Sequence, residues 1–503
     1  DVPFFMTDLQ SNDKVAAETY RDGIKIDVSK YPNAKPQFSP RFGFNYKPFD
    51  DENGSLQIRG GTGLFTGTPP YVWISNQAGN NGVLFGDLNV RAVKDKNDNI
   101  ISDGRPSLGF TGNMDTYKPA EGSATRSDIA ITDPDFKYPS LWKSNIAADY
   151  KFGDGWVATI ELLYSKDINA IYHDNIGLYR TEQFVNDGGA GNARPYYNGY
   201  YSDREGNQKA ANHVVMLRNT SKGHSLYTTF QLQKNFVDGI LKGLYLNGSY
   251  SFGQSRGVTD GTSSVATSAW KYRAALDGNA EEVGYTAGSF DGRLLLSASY
   301  TANWSKYAAT SFGLIYQRYR PFRYSYCYNG DANGDSQFSN DLMYIPANFD
   351  EVKDHLLPGD FDSQEDAWKA MNAFIEQDPY LSKHRGEYAE RNGAVAPFAN
   401  QLDLSVSHDI KIYQKNGRSH TLRFSFNIAN FLNLLNRNWG VVQTTVLGNQ
   451  QYQFLTIPKG QGPSAANNYT LKYTMAKDLD ETFKDNLNDV SRWQMQFGIK
   501  YIF

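Results

Sequence analysis

Within the stretch GDANGDSQFSNDLMYIP (330–346), Asp331, Asn333 and Asp335 stand at positions 1, 3 and 5 of a calcium-type loop, with Asp341 close behind. Hard cations such as calcium take several oxygen ligands converging from a tight turn, and a D-x-N-x-D spacing supplies three within five residues. The stretch departs from the EF-hand pattern, because Ser336 replaces the glycine of position 6 and Leu342 the bidentate glutamate of position 12. Asn, Asp and Gly also make turns without any ion, since their side chains bond to the nearby backbone. A structural calcium on Asp331, Asn333, Asp335 and Asp341 and a plain surface turn therefore both fit, and no other cofactor is required.

A second group lies at 69–83, where Tyr71, Trp73, Asn76, Gln77 and Asn80 combine aromatic faces with amides. That chemistry suits contact with a peptide or a sugar; Pro69 and Pro70 could equally just brace a loop. Residues 363–376 (SQEDAWKAMNAFIE) predict a helix with Ser363 as N-cap and Trp368, Met371 and Ile375 on one face. Such a helix either docks a partner as a lid or packs against neighbouring loops. No catalytic set emerges: the seven histidines form no HExxH, no GxSxG is present, and His408 and Asp409 would point to opposite faces of a strand. The chain is not read as an enzyme; a surface hydrolase built on a barrel would need only a few carboxylates and histidines at the outer rim.

The elements that must position these residues follow from composition and periodicity. Aromatic residues make up 14% of 503 residues, including 34 Tyr and 30 Phe, yet mean hydropathy is only -0.57. That pairing suits strands with alternating faces joined by long polar loops. No stretch approaches the roughly 18 apolar residues of a helical span, whereas a barrel strand needs only about 10 residues of alternating character. Net charge is -4 without a basic block, which argues against a nucleic-acid partner, and the single Cys327 permits no intrachain disulfide. The first ten residues, DVPFFMTDLQ, carry no signal-peptide pattern, so Asp1 is either a processed end or an internal cut.

Period-2 patterning gives eleven strands, at about 41–49, 55–66, 141–152, 155–167, 222–236, 241–253, 290–301, 303–319, 400–412, 418–430 and 491–503. Short connections follow the odd strands. Long ones, at about 67–140, 168–221, 254–289, 320–399 and 431–490, follow the even strands. Outer-membrane barrels have short periplasmic turns and long extracellular loops, so odd strands descend and even strands ascend. In the last strand Trp493, Met495, Phe497, Ile499, Tyr501 and Phe503 share one side, against Arg492, Gln494, Gln496 and Lys500. A charge at the bilayer midplane costs roughly 2 to 4 kcal/mol, so the polar side must face a wet lumen or a polar filling. A soluble sheet with one solvated face would alternate too, but would not alternate its loop lengths.

Aromatic residues also gather near strand ends, with Tyr138, Trp142, Tyr319 and Trp493 placed at the outer rim and Tyr46, Phe152, Trp156, Trp304, Tyr501 and Phe503 at the inner one. The series Trp493, Phe497, Tyr501 and Phe503 looks like the signal read by the barrel-assembly machinery. Single-chain bacterial barrels have even strand numbers, so eleven strands suggest half of a 22-stranded plugged barrel. The expected fold is thus all-β, a transmembrane antiparallel β-barrel whose plug and amino-terminal strands lie outside these residues.

Residues 59–83 (RGGTGLFTGTPPYVWISNQAGNNGV) and 426–439 (FNIANFLNLLNRNW) resemble the large TonB-dependent receptors of the Oar-like type, which carry a carboxypeptidase-regulatory-like domain before the plug. FSPRFGFNY (38–46), DPYLSKHRGEYAERN (378–392) and NQLDLS (400–405) look like further blocks of that family. The resemblance implies a 22-stranded barrel, a plug and an amino-terminal segment for a TonB-type energy-coupling complex, in the outer membrane of a Gram-negative bacterium. It implies import of a nutrient such as a peptide, glycan or chelate, without naming one. Outer-membrane lipid, the assembly machinery and a surface lipoprotein are the other expected partners. A passive porin and a protein-binding barrel within a larger assembly compete with the importer.

Overall fold

The structure is a computed structural model that describes residues 9–33, 35–52, 54–83, 93–94, 100–101, 127–185, 194–413, 419–447, 451–464, 469–475 and 481–503. Eleven long strands form one antiparallel sheet in chain order: β1 Arg41–Asp51, β2 Gly54–Thr66, β3 Ser140–Phe152, β4 Trp156–Asp167, β5 His224–Asn235, β6 Leu244–Gly257, β7 Arg293–Ser305, β8 Ala308–Tyr319, β9 Ala399–Tyr413, β10 Ser419–Ala429 and β11 Gln494–Ile502. A two-residue strand, Gly284–Tyr285, adds to the end of β6. No helix among the described residues is long and apolar enough to cross a membrane.

Every expected strand is present, with one boundary corrected. The turn between β7 and β8 falls at 306–307, not at 302, because Ala302 and Trp304 continue the alternation and their strand stays paired out to Ser305. The expected turn after β9 lies largely outside the described residues, which omit 414–418.

The sheet's two faces separate as the alternation demands. Phe42, Ile146, Ile160, Phe230, Phe312, Phe424 and Phe497 are exposed on the apolar face, and Leu404 lies in their register between Leu314 and Ile428. Large apolar groups stay outward only where their surroundings are not water, so this exposure is what a lipid-facing band requires. Trp142 and Trp493 stand exposed at the end that carries the long connections, and Trp304 and Phe503 at the other. Two of the expected rim aromatics are placed differently. Tyr138 is buried in a loop core with Ile74, Phe136 and Leu217. Tyr319 shares the polar face and donates its hydroxyl to Gln401 Oε1 at 3.2 Å.

The long connections are not loose. Val185 and Tyr196 share one core with described residues of 322–394 and 446–483, in which the rings of Tyr324, Tyr326, Tyr452 and Phe454 pack together. A second core joins Val15, Tyr20, Ile26 and Val28 to the strands Ser127–Thr132 and Ala211–Thr220, which pair in parallel. These cap strands were not legible as such, since a run like VVML is buried on both faces and lacks period 2. The helix expected at 363–376 is Gln364–Gln377, capped by the Ser363 side chain accepting from Asp366 N at 3.1 Å. Ala367, Met371, Phe374 and Ile375 are buried in the first core and Trp368 packs beside it, so the helix serves loop packing.

Candidate functional site

Charges on the polar face answer one another from strand to strand. Arg59 Nε on β2 donates to Asp149 Oδ2 on β3 at 2.8 Å, with Glu161 of β4 3.9 Å from its Nη1. Thr159 Oγ1 donates to Asp149 Oδ1 at 2.7 Å. Gln231 donates to Asn247 at 2.7 Å. Asp403 accepts from Asn430 N at 2.8 Å, and Arg423 grips Asp409 through two bonds of 2.6 and 2.8 Å. All of these side chains lie on the face opposite the apolar band; His408 lies on the other face and bonds Thr310 of the neighbouring strand at 2.8 Å, so His408 and Asp409 do not act together. A surface this polar needs water or polar protein against it.

The stretch 69–83 holds a helix, α1 Tyr71–Gly79, although the prolines before it suit a loop equally well. Most of its candidate contact residues bind other connections. Trp73 Nε1 donates to Ser263 O at 2.8 Å and Asn76 Nδ2 to Ser264 O at 2.7 Å. Gln77 is buried, donating to Val28 O and Lys30 O and accepting from Thr132 N. Asn80 caps the helix by bonding back to Asn76 O, while its carbonyl takes Ala130 N. Tyr71 is exposed. The amides expected to meet a ligand thus hold the long connections together, and Trp73 lines a cavity.

That cavity, of about 470 Å³, sits where β2, β3 and β4 meet the long connections. Its floor is one register row of the polar face, Phe65, Leu141 and Asp167. Pro69, Pro70, Pro139 and Trp73 form walls, and Thr259, Asp260 and Gly261 close one side. Gly261 has φ of 62°, and a Cβ there would come within 3.0 Å of the Trp73 ring, so this approach requires glycine. No pattern of residue types announced the cavity, since its lining comes from three separate connections and the ends of three strands.

The candidate calcium loop forms a tight Asx turn. Asp331 accepts from Asn333 N, Gly334 N and Ser336 N, and Asn333 Oδ1 accepts from Asp335 N at 2.9 Å. Asp341 instead pairs with buried Arg194 at 3.1 Å and accepts from Ala332 N at 2.8 Å. The structure therefore brings 331, 333 and 335 into one turn and gives Asp341 a separate counter-ion. Among the described residues no three His, Cys, Asp or Glu side chains gather as a metal-binding set. Burial raises the Asp331 carboxyl despite the turn's amides; burial, with Asp341 and Asp331 nearby, pushes Asp335 well above the ordinary carboxylate range.

A raised carboxyl favours folding while it holds its proton. Its contribution is complete below about pH 4 and is lost as pH rises through the folded-state value. Without divalent ions the cap should therefore melt at a lower temperature at pH 7.5 than at pH 5, with Trp270, which flanks Gly278 together with Asp335, as a fluorescent reporter. Asp335→Asn should flatten that difference; an unchanged slope would remove Asp335 as its source.

An outer membrane beta barrel domain profile matches residues 6–466. Among solved structures, the chain is similar to a single-site mutant of the ferric enterobactin receptor of Pseudomonas aeruginosa, at 9% identity and a TM-score of 0.37, over 85% of this chain. It spans 39% of that receptor's length. No curated protein matches the chain. The profile covers most of the sequence, including ten of the eleven strands of the sheet, and the chain belongs to the outer membrane β-barrel domain family.

Proposed function

We propose that the chain is the carboxy-terminal part of an energised importer of the Oar-like TonB-dependent type. The observation that supports this best is the mutual tethering of the long connections. Trp73 reaches from one to Ser263 of another, Arg391 from a third to Gly257 and Val258, and the large core draws on three of them. Such a folded outer layer suits a gated entry and not the open mouth of a passive porin.

On this reading the long connections are extracellular and the cell is a Gram-negative bacterium. Among the described residues β1 and β11 end the sheet, each pairing on one side only. An unpaired edge in hydrocarbon costs several kcal/mol per group, so the proposal requires polypeptide outside these residues to supply further strands, about 22 in all, together with a plug. Energy coupling would run through a TonB-type partner at that segment. Trp493, Phe497, Tyr501 and Phe503, exposed along the apolar face of β11, are proposed as the assembly signal. Calcium is proposed as the counter-ion of Asp331 and Asp335, and a surface lipoprotein as a partner of the cap.

The intact protein in planar bilayers is expected to show no steady conductance, and cells lacking the energy-coupling protein are expected to lose uptake that depends on it. A large, constantly open channel would favour the porin. Closed barrels with no coupling-dependent uptake of any nutrient would favour a protein-binding barrel.

A further inference from the structure

We infer that the cavity over Phe65, Leu141 and Asp167 is a binding site for a primary amine carried on an apolar body, with Asp167 as the anionic anchor. Asp167 accepts no hydrogen bond from any described side chain or amide, and it forms no ion pair among the described residues. Lys166 and His224 stand near it. The Lys166 ammonium, though, is spent on Ser221 O at 2.6 Å and Gly223 O at 3.1 Å. The second carboxylate of the lining, Asp260, is satisfied: it accepts from Ala287 N at 2.9 Å and from Asn392 Nδ2 at 3.0 Å. One acceptor is therefore left over.

The placement of that acceptor is built. Gly223 has φ of 119°, and a Cβ there would fall 2.2 Å from Asp167 Oδ2, so a glycine is what allows the carboxylate its position. A half-enclosed carboxylate left without a donor is costly, and a ligand that brings the donor recovers the cost. An ammonium group offers three N–H donors and the opposite charge. Phe65, Leu141, Trp73 and the three prolines leave the rest of the volume to an apolar or ring-bearing portion. The cavity volume, about 470 Å³, admits a fragment of one or two residues' size and not a folded partner. The site opens at the outer end of the polar face, where an importer's cargo would first meet the barrel. It rests on the importer reading only for calling the ligand a cargo; binding itself needs no energy coupling.

The test uses the full-length protein in detergent micelles, with benzylamine as probe and benzyl alcohol as its neutral counterpart. Benzylamine is expected to bind saturably and about tenfold more tightly than the alcohol, and Asp167→Asn to erase that preference. Gly67→Leu checks the location independently. A side chain at Gly67 would have Pro139 as its nearest neighbour at 3.9 Å and would fill the cavity, so both probes should lose binding. Equal affinity for the two probes in the wild type, or unchanged benzylamine binding in Gly67→Leu, overturns the site even where Asp167→Asn fails to fold. Amine binding without coupling-dependent uptake would leave the site standing and sink the importer.

Discussion

Replacing Asp378 by alanine is expected to unfold the larger cap core while the eleven-stranded sheet survives, at a cost of about 3 to 5 kcal/mol. Asp378 ends the helix Gln364–Gln377 and is fully buried. One carboxylate oxygen accepts from Tyr380 N at 2.9 Å and Leu381 N at 2.8 Å, and the other from Tyr326 OH at 2.6 Å and Thr482 Oγ1 at 2.7 Å. Tyr326 and Thr482 belong to different long connections, so this carboxylate ties them together. Alanine would strand four donors in a dry interior, each costing roughly 1 to 3 kcal/mol where no water replaces the partner. Tyr326 retains a 3.2 Å contact with the Tyr324 hydroxyl, which limits the total. Asp378→Asn keeps the shape and one good acceptor, and should cost about half as much. Near-ultraviolet circular dichroism and protease sensitivity of the cap would be compared with the heat-modifiable gel mobility of the barrel. A cap that melts unchanged in Asp378→Ala would refute the account.

The barrel strands were readable and the cap was not, for one physical reason. A strand between lipid and a polar lumen must alternate, as Leu422, Phe424 and Phe426 do against Thr421, Arg423 and Ser425, and alternation is a local signal. In the cap, the strand Ala211–Thr220 is covered on both sides, so its buried run Val214 to Leu217 carries no period. The Asp378 block was visible as a resemblance, DPYLSKHRGEYAERN, but its role depends on Tyr326 and Thr482, which are 52 and 104 residues away. The same holds for the amine cavity, where Asp167 looked like any strand end and became distinctive only by lacking a donor. α1 carries no clear start signal, because Pro69 and Pro70 suit a braced loop equally well and Pro70 occupies the N-cap position without a capping side chain. The girdle assignment of Tyr319 failed through parity: it follows Gln317 and not Tyr316.

The last expectation concerns Arg194, which is fully buried beside the calcium-type loop. Its guanidinium pairs with Asp341 at 3.1 Å, donates to Leu342 O, and lies 5.6 and 5.5 Å from the ring centres of Tyr328 and Tyr388. Arg194→Met should destabilise the cap by about 3 to 5 kcal/mol, because it takes the guanidinium away from a buried carboxylate. Methionine nearly preserves the apolar stem, so most of that loss is electrostatic and should be recoverable. In the double variant Arg194→Met with Asp341→Asn, the new amide oxygen can still accept from Ala332 N while the buried charge is gone. The double variant should therefore be more stable than Arg194→Met alone, an interaction of about 1 to 3 kcal/mol in a double-mutant cycle. Hydrogen exchange across 323–345 measures it directly, since the amides of Tyr328, Leu342 and Met343 bond within this layer. If the two losses simply add, Arg194 holds the loop by packing against its tyrosines, and the charge of Asp341 is stabilised by something other than this pair.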